Sequence, residues 1–367
     1  MSLLYAGLDV SLEMTSICVV DADGRIVLET KVASDPEALT CCLGELPGCF
    51  ERVGLEAGPL SQWLYFGLRD AGLPAVCIET RHAKAAITAM SMNKTDRNDA
   101  RSLAQLVRSG WFKSVHVKSV ESQELRTLLG SREFFVNKLR DHENEIRGLL
   151  RPFGLKVGQV SSSGFAGRIR DLVTDRPRLK LCMEALLTAR ETLMKQLAAL
   201  HGELLRVTKN DELCVRFMGI PGVGPVTALA FKTAIDRPDR FRRSSDVGAH
   251  LGLAPRQHQS GEVDRRGRIA KNGDRLTRSA LFAAANVMLS RSTQWTALKH
   301  WGVSIARRSS LKKAKVAVAR KLAVIMHRMW RDGSPFRWTA KEACSPILQD
   351  RGEAPSQPDR GPGRDGG

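Results

Sequence analysis

Apolar residues alternate or run together in five short stretches within the first 80 residues, and each stretch predicts a β-strand. The predicted strands cover residues 3–9, 16–21, 25–32, 52–56 and 73–79. Longer amphipathic stretches predict helices, because each has a polar cap before it or a glycine after it. These predicted helices cover residues 36–46, 60–71 and 96–109.

The predicted elements follow one another as β-β-β-α-β-α-β-α. The second and third strands are joined by Ala22-Asp23-Gly24, which is typical of a hairpin turn. Three strands in a meander, followed by alternating strands and helices, fit a mixed sheet covered by helices. We therefore predict an α/β domain over residues 1–118 with a ribonuclease-H-like order of elements.

Two later segments carry seam residues at alternating spacings of three and four, a period of 3.5 that predicts a coiled coil. The first seam is Leu125, Leu128, Arg132, Phe135, Leu139, His142, Ile146 and Leu149. The second seam is Leu179, Met183, Leu186, Arg190, Leu193, Leu197, Leu200, Leu204 and Val207. Polar Arg132, His142 and Arg190 could fix the register. An antiparallel hairpin within one chain and pairing between two protomers both satisfy this pattern.

The two seams make residues 119–208 a predicted coiled-coil region, interrupted at about 152–178. That interruption contains Ser161-Ser162-Ser163-Gly164 and predicts a loop or insertion. Residues 209–340 predict a mainly α-helical domain, with helices at about 276–289 and 312–330. The tail, residues 341–367, is rich in Pro, Gly, Asp and Arg, and this composition predicts disorder.

Positive charge is concentrated in one quarter of the chain. The formal net charge is +18 over 367 residues, and residues 239–331 hold 21 Lys and Arg against five acids. A field of this kind attracts a polyanion, and nucleic acid is the usual partner. A solubilising surface is the alternative, although such surfaces usually mix the two signs. Aromatic residues are few, which favours contacts to the nucleic-acid backbone over base stacking.

Several classes of protein are disfavoured by what the sequence lacks. It has no run of 18 apolar residues, so we expect no membrane span, and Asp9 and Glu13 come too early for a signal peptide. The eight cysteines form no C-x-x-C pair, so a zinc ribbon or a thioredoxin-like site has no support. We expect structural thiols and a cytoplasmic protein.

Four acids stand where the predicted fold would bring them together. Asp9 and Glu56 each end an apolar strand, and Asp96 and Asp99 lie three apart at the start of a helix, on one face. Carboxylates gathered at one spot repel each other, and a divalent cation relieves that repulsion. Oxygen ligands suit Mg²⁺, or Mn²⁺ as a possible substitute. The alternative is that these acids are ordinary surface and helix-cap residues.

The C-terminal half offers further candidates for chemistry and for nucleic-acid contact. Ser260 lies before Gly261 in a polar stretch, where the residues alone favour a plain turn. Residues 219–224 match neither a P-loop nor a dinucleotide-binding motif. They resemble a helix-hairpin-helix turn, in which backbone amides near Gly222 and Gly224 would meet phosphate. A tight turn between helices is the other interpretation.

The basic side chains of this half are candidate phosphate contacts, which position a nucleic acid without reading its sequence. Those around Ser260 are Arg256, His258, Arg265, Arg266, Arg268 and Lys271. A second group, with a solvated helix face as the competing explanation, is Arg307, Arg308, Lys312, Lys313 and Lys315. Ser244 and Ser245 rival Ser260 as reactive hydroxyls, but they are better placed to cap a helix starting near Asp246.

Taken as a set, several of these strings resemble the DEDD transposases of the insertion sequence 110 and 1111 group. The N-terminal strings are Gly7-Leu8-Asp9-Val10-Ser11, Glu56-Ala57-Gly58 and Asn93-Lys94-Thr95-Asp96-Arg97-Asn98-Asp99-Ala100. The C-terminal strings are Gly219-Ile220-Pro221-Gly222-Val223-Gly224, Gly252-Leu253-Ala254-Pro255-Arg256, Ser260-Gly261, Arg266-Gly267-Arg268 and Lys271-Asn272-Gly273. The resemblance covers about residues 3–338.

The resemblance implies a RuvC-like N-terminal domain whose four acids bind Mg²⁺, and a second domain in which Ser260 is the nucleophile. It implies action on donor and target DNA, in some members directed by a structured bridge RNA. It also implies dimers or tetramers assembled through the coiled coil. One departure concerns the second acid. Members often read E-A-T-G-x-Y there, whereas Glu56 is followed by Ala57-Gly58-Pro59-Leu60-Ser61, so a contact by that Tyr does not carry over.

We therefore expect a DNA recombinase in which acid-bound Mg²⁺ activates Ser260 and a serine–DNA link forms. One alternative is a metal-dependent nuclease or junction resolvase that uses water as the nucleophile. Another is a non-catalytic nucleic-acid-binding protein, which the intact set of four acids argues against.

Overall fold

The computed structural model describes residues 2–90, 95–261 and 263–338, apart from a few side chains within helices and strands. Asn93 and Lys94 of the N-terminal motif lie outside the described residues, as does the tail at 341–367. The chain forms two compact units, Met1–Ser119 and Val120–Gly367. Among the described residues, the helices are all too short or too polar to cross a bilayer.

The first unit is an α/β unit built on a five-stranded mixed sheet. Its elements are β1 (Leu3–Val10), β2 (Met14–Asp21), β3 (Ile26–Ala33), α1 (Pro36–Gly44), β4 (Cys49–Glu56), α2 (Ser61–Asp70), β5 (Ala75–Ile78), α3 (Thr80–Met90) and α4 (Asp96–Ser109). The strand order is β3-β2-β1-β4-β5. Strand β1 is antiparallel to β2 and parallel to β4, and β5 continues the parallel side. This confirms the predicted mixed sheet, and α3 is an additional helix that we had not predicted.

Alternation along β1 divides its side chains between two helical layers. Leu4, Ala6 and Leu8 are buried in one core, which also holds leucines of α1 and α2. Successive side chains of a strand point to opposite faces, so Gly7 and Asp9 face the other layer. That layer is α4, which begins after the cap residue Thr95 and ends at Gly110.

Glycine is required on the sheet where α4 crosses it. A Cβ built at Gly7 would lie 2.7 Å from the carbonyl carbon of Leu103, and closer still to backbone atoms of Ala100 and Ala104. A Cβ at Gly54 would collide with the side chain of Val107. Because neither glycine has a side chain, α4 lies directly on β1 and β4.

The second unit is mainly helical. Its elements are α5 (Val120–Leu150), α6 (Phe165–Leu172), α7 (Pro177–Lys209), α8 (Glu212–Met218), α9 (Pro225–Ile235), α10 (Ser244–His250), β6 (Pro255–Ser260), β7 (Val263–Ile269), α11 (Arg275–Ser290), α12 (Ala297–Arg308) and α13 (Leu311–Asp332). Its largest core gathers α8, α9, α11 and α13 around the ring pair Phe217–Phe231. The mainly helical C-terminal region is thus confirmed.

The two heptad segments form the long helices α5 and α7, which pack against each other in antiparallel directions within one chain. Two polar seam residues show the direction: Arg132 Nε donates to His201 Nδ1 at 3.3 Å, and His142 Nε2 lies 2.7 Å from the carbonyl oxygen of Leu186. The partner number falls as the seam number rises, as in an antiparallel hairpin.

The segment between these helices is more ordered than a loop. It contains α6, whose Phe165 and Ile169 are buried with residues of α5 and α7. The seam residue Arg190 closes this small core: its guanidinium donates to Glu143 at 2.8 Å and to the Ser162 carbonyl oxygen at 3.0 Å. Residues 152–178 thus hold a packed helix between the two long helices, where the sequence predicted a loop or an insertion.

One expectation in the second unit was wrong, and one element was not predicted. Ser244 is the first residue of α10 rather than its cap, and its buried Oγ lies 2.9 Å from His327 Nδ1. The basic stretch after residue 255 forms the antiparallel hairpin β6–β7, which the sequence did not indicate.

Candidate active site

Asp9 and Glu56 lie side by side at the carboxyl ends of neighbouring parallel strands. Leu8 on β1 pairs with Leu55 on β4. Asp9 is the next residue after Leu8 and Glu56 is the next residue after Leu55, so the two acids occupy adjacent positions on the two strands. Both side chains are half-buried and line one cavity of about 500 Å³. Each acid is two residues beyond a glycine that contacts α4, so both are on the α4 side of the sheet.

Helix α4 runs antiparallel to β1, so its first turn reaches the same edge of the sheet. Ala100 lies against Gly7. Two further residues along β1 lead to Asp9, about 7 Å away. Four residues back along α4 lead to Asp96, about 6 Å away. Spacing and direction therefore bring Asp96 and Asp99 toward the edge that carries Asp9 and Glu56.

Asp96 is held by a cation from the sheet. Lys31 Nζ on β3 lies 3.0 Å from Asp96 Oδ2. Lys31 pairs with Ser16 on β2, and Ser16 pairs with Asp9 on β1, so Lys31 lies two strands from Asp9 at the same level of the sheet. Sequence reasoning missed Lys31, because this contact depends on the register of three strands.

Asp99 is the most buried of the four acids, with 6% of its surface exposed. Its Oδ1 atom is buried and has no hydrogen-bond partner among the described residues. A carboxylate oxygen buried without a partner is costly unless a cation or a proton joins it. This oxygen is therefore a ligand position that the fold leaves open.

The four acids supply the hard oxygen donors that Mg²⁺ and Mn²⁺ prefer. Among residues 2–90, 95–261 and 263–338, however, no three His, Cys, Asp or Glu side chains are close enough together to hold an ion. Asp9 and Glu56 share a cavity, Asp96 is paired with Lys31, and Asp99 is buried in the first turn of α4. The donor chemistry fits a divalent cation, although Asp96 is paired with Lys31 in this structure.

A second ion-pair group fixes the first two turns of α4 to the sheet. Glu29 on β3 accepts hydrogen bonds from Arg101 and from Arg97, whose Nε lies 2.8 Å from Glu29 Oε2. The hydrogen bond from Arg101, aided by Arg97 and opposed by burial, lowers the pKa of Glu29 to about 2. Glu29 is thus ionised at neutral pH and helps to position the helix that carries Asp96 and Asp99.

Ser260 is the last residue of β6, at the tip of the hairpin. It pairs with Val263, and Gly261 in the turn has a φ of 55°. The side chain of Ser260 is exposed. His258, two residues earlier on the strand, pairs across the hairpin with Arg265. The backbone here is the Ser-Gly turn expected from the residues alone, and it presents the hydroxyl to solvent.

Most candidate phosphate contacts are exposed cations on the hairpin or on the two last helices. On the hairpin, Arg256, Arg265 and Arg268 are exposed, while the side chain of Arg266 lies outside the described residues. Lys271 follows β7 with a φ of 57°. On the helices, Arg307 and Arg308 end α12, and three lysines begin α13: Lys312, Lys313 and Lys315.

The glycine-rich string forms the turn between α8 and α9. Gly222 has a φ of 88°, and a Cβ there would lie 2.5 Å from the Ala284 carbonyl oxygen and 3.0 Å from Met288 N. Packing against α11 therefore accounts for glycine at this position. Gly224 is the N-cap residue of α9 and leaves the first turn of that helix without a side-chain cap.

Two family models match the chain. Residues 6–154 match a DEDD transposase model of the IS110 type, and residues 214–301 match the model described as "Transposase IS116/IS110/IS902 family". The transposase for insertion sequence element IS1111A from Coxiella burnetii is 30% identical over 326 residues, which cover 87% of each chain. The chain belongs to the IS110 family of transposases.

Other relatives agree with this placement. The transposase for insertion sequence element IS1328 from Yersinia enterocolitica is 27% identical over 251 residues, covering 66% of this chain and 74% of the relative. A pilin gene-inverting protein from Moraxella bovis is 32% identical over 119 residues, covering 32% and 36%. As an IS110-family transposase, the chain is an enzyme that catalyses DNA cleavage and strand exchange.

Proposed function

We propose that this transposase cuts and rejoins DNA through a covalent serine–DNA link, with Mg²⁺ or Mn²⁺ held by Asp9, Glu56, Asp96 and Asp99. The observation that carries the metal-dependent part is the adjacency of Asp9 and Glu56 in one cavity, at the edge reached by the first turn of α4. The match of residues 6–154 to a DEDD transposase model supports the assignment of the two strand-end carboxylates and the two helix-borne acids to one metal site.

The sheet supports a RuvC-like, ribonuclease-H-like interpretation of the first unit. Its order, β3-β2-β1-β4-β5, places an antiparallel meander on one side and parallel strands on the other. This arrangement agrees with the predicted order of elements. In it, the carboxyl end of the central strand β1 is the position of the first acid, Asp9.

A divalent cation, when bound, would neutralise charge on the scissile phosphate and lower the pKa of an attacking hydroxyl. Asp9 and Glu56 already face a common cavity, and Asp99 contributes an oxygen without a partner among the described residues. Asp96 joins them once its ion pair with Lys31 opens. Both members of that pair are largely exposed, so opening it costs little, about 1 kcal/mol or less.

Ser260 is the proposed nucleophile, as the family resemblance implies. Its Oγ forms a bond to phosphorus while the bond from phosphorus to the 3′ oxygen breaks. The serine proton passes to solvent water, and the departing 3′ oxygen takes up a proton from solvent water. A 3′-hydroxyl from another strand then attacks the phosphorus of the phosphoserine link. The new phosphodiester bond forms as the bond to Ser260 breaks, so the DNA is rejoined and the serine is released. The exposed position at the hairpin tip supports this role, since the hydroxyl is accessible to a phosphodiester.

Donor and target DNA are the proposed substrates, and a structured bridge RNA is the proposed guide. The net charge of residues 239–331 supports the binding of more than one polyanion segment. A homodimer or homotetramer through the α5–α7 coiled coil is proposed as the working assembly. Large apolar side chains are exposed where α5 ends and α7 begins, and they support this assembly. Among them are Leu149, Phe153 and Leu181, the last of which is 75% exposed.

The alternative function is a metal-dependent nuclease or junction resolvase with water as the nucleophile. The observation that favours it is the hairpin turn at Ser260, because a Ser-Gly pair needs no catalytic reason in such a turn. The two functions share the acid site and differ in whether protein becomes linked to DNA.

Strand exchange between two labelled DNA fragments carrying the element's ends tests the acid site. Asp9→Asn and Glu56→Gln should each lower the rate of cleavage by about 100-fold or more, because each removes a charged ligand of the ion. Asp70→Asn, at the exposed end of α2, is the matched control and should retain the wild-type rate. Full activity of Asp9→Asn would contradict the proposed role of the carboxylates.

A further inference from the structure

A groove of about 1060 Å³ lies in the second unit, lined by residues of the β6–β7 hairpin, α12 and α13. Its volume is slightly above the range of about 300–1,000 Å³ for sites that enclose a small organic ligand. Five lining side chains are cationic, namely Arg268, Lys271, Lys312, Lys313 and Arg320. Between them lie apolar side chains, which are Leu253, Ile269, Val316 and Ala317.

The positive charge of the groove is not compensated within the described chain. None of the described lining residues is acidic. Within residues 2–90, 95–261 and 263–338, the five cations make no ion pair. Uncompensated cations in a concave site produce a strong local potential that concentrates anions.

The start of α13 adds to this potential. Ser310 caps the helix, and the first turn contains Lys312 and Lys313 but no acid. Helix N-termini favour negative charge, so two lysines there oppose the helix dipole and cost stability. A bound phosphate would offset that cost, because it meets both the lysines and the positive end of the helix.

One aromatic ring distinguishes this groove from a simple anion site. Trp301, on α12, lines the groove and is 40% exposed. A flat indole beside apolar side chains suits a heterocyclic base, and the surrounding cations suit the phosphates on either side of it. An acidic peptide would use the cations but leave the indole and the apolar floor unused.

We propose that this groove binds one unpaired nucleotide of a DNA or RNA strand, with its base stacked on Trp301 and its flanking phosphates on Arg268, Lys312 and Lys313. A base within a duplex is stacked on its neighbours and cannot enter a concave site, so the nucleotide must be unpaired or turned out of the helix. This inference deepens the proposed function, since it names a substrate feature, but it needs neither a metal ion nor Ser260.

Fluorescence anisotropy with two labelled duplexes tests the proposal in EDTA, where cleavage chemistry is absent. One duplex is fully paired and the other carries a single unpaired adenine, and both are prepared as DNA and as RNA. Wild-type protein should bind the bulged duplex roughly tenfold more tightly in at least one of the two series. The series with the larger preference identifies the source of the nucleotide.

Two substitutions of the ring separate stacking from folding. Trp301→Leu should abolish the preference for the bulge, whereas Trp301→Phe should keep most of it. Trp111→Ala, at a more exposed tryptophan of the first unit, should keep all of it. Lys312→Ala should weaken binding of the bulged duplex more than binding of the paired duplex, because Lys312 is proposed to contact a phosphate beside the unpaired nucleotide. Lys315→Ala removes the same charge from the same helix and should leave the preference unchanged, because Lys315 does not line the groove.

The proposal is overturned if wild-type protein binds paired and bulged duplexes equally in both series, or if Trp301→Leu retains the preference. Displacement of the bulged duplex by poly-glutamate as readily as by an unlabelled bulged duplex would also overturn it, since an acidic peptide would then be the better ligand. The binding test is independent of the strand-exchange test, because its variants alter no catalytic residue and its measurements are made in EDTA. The result obtained with Asp9→Asn therefore does not affect it.

Discussion

The backbone of Gly7 lies directly against the backbone of Ala100. This contact seats α4 on β1, since a Cβ at Gly7 would come within 2.7 Å of Leu103 as well. Asp9 lies two residues beyond the contact on the strand, and Asp96 lies four residues before it on the helix. One glycine thus sets the separation of carboxylates that are 87 positions apart in the sequence.

Replacing this glycine should damage both stability and cleavage. Gly7→Ala places a methyl group against helix backbone, which cannot move aside without shifting α4. We expect the first unit to lose at least about 2 kcal/mol of unfolding free energy. Circular dichroism during thermal unfolding measures the loss, and the strand-exchange assay measures its effect on the acid site.

Gly44→Ala is the matched control for that experiment. Gly44 ends α1 with nothing within 4 Å of the position of a new Cβ. The unfolding temperature of the Gly44→Ala variant should stay within a few degrees of the wild-type value. Equal loss of stability in Gly7→Ala and Gly44→Ala would show that the contact with α4 is not the cause.

Glu29 should make the stability of the first unit depend on pH in the acidic range. Its pKa is about 2 in the folded chain, because Arg101 and Arg97 donate hydrogen bonds to it, and about 4.3 when unfolded. The unfolded chain therefore binds more protons between these values, so the contribution of Glu29 is complete above about pH 5 and is lost as pH falls toward 2.

Glu29→Gln removes this dependence. The variant should unfold more easily than wild type at pH 7, and the difference should shrink steadily below about pH 4. Urea unfolding at a series of pH values provides the measurement. A difference that stays constant down to pH 2.5 would mean that the ion pairs of Glu29 do not lower its pKa.

Lys31 should compete with a divalent cation for Asp96. Lys31→Met leaves Asp96 without its 3.0 Å ion pair, so binding of Mn²⁺ no longer has to break that pair. We expect an increase in Mn²⁺ affinity of about threefold, as suits an exposed pair. Titration followed by electron paramagnetic resonance measures the affinity. Lys113→Met, which removes the partner of Glu79, is the control, and an equal increase there would assign the effect to net charge alone.

The strands and the first two acids could be predicted because the signal is local. Alternating apolar residues identify β1 and β4, and a polar residue at the end of each identifies Asp9 and Glu56. The missed helix α3 also had a signal, since Ala83, Ala86, Ile87 and Met90 have helical spacing. Its small alanines make that pattern weak.

The remaining features depend on contacts between distant residues. The hairpin β6–β7 carries polar residues on both faces, and β6 is exposed along its whole length, so hydrophobic periodicity gives no signal there. The pairing of Lys31 with Asp96 depends on the register of β3, β2 and β1 together. The hydrogen bond between Ser244 and His327 joins residues that are 83 positions apart in the sequence.

The measurement that tests the account most directly is the identification of the residue that becomes linked to DNA. Wild-type protein, incubated with Mg²⁺ and a DNA fragment carrying the element's end, should give a protein–DNA species that survives denaturation. Peptide mapping should place the link on Ser260. Ser260→Ala should abolish this species and retain DNA binding, whereas Ser245→Ala, at an exposed serine of the same unit, should still form it. Persistence of the adduct in Ser260→Ala, or strand exchange by wild type without any adduct, would contradict the account.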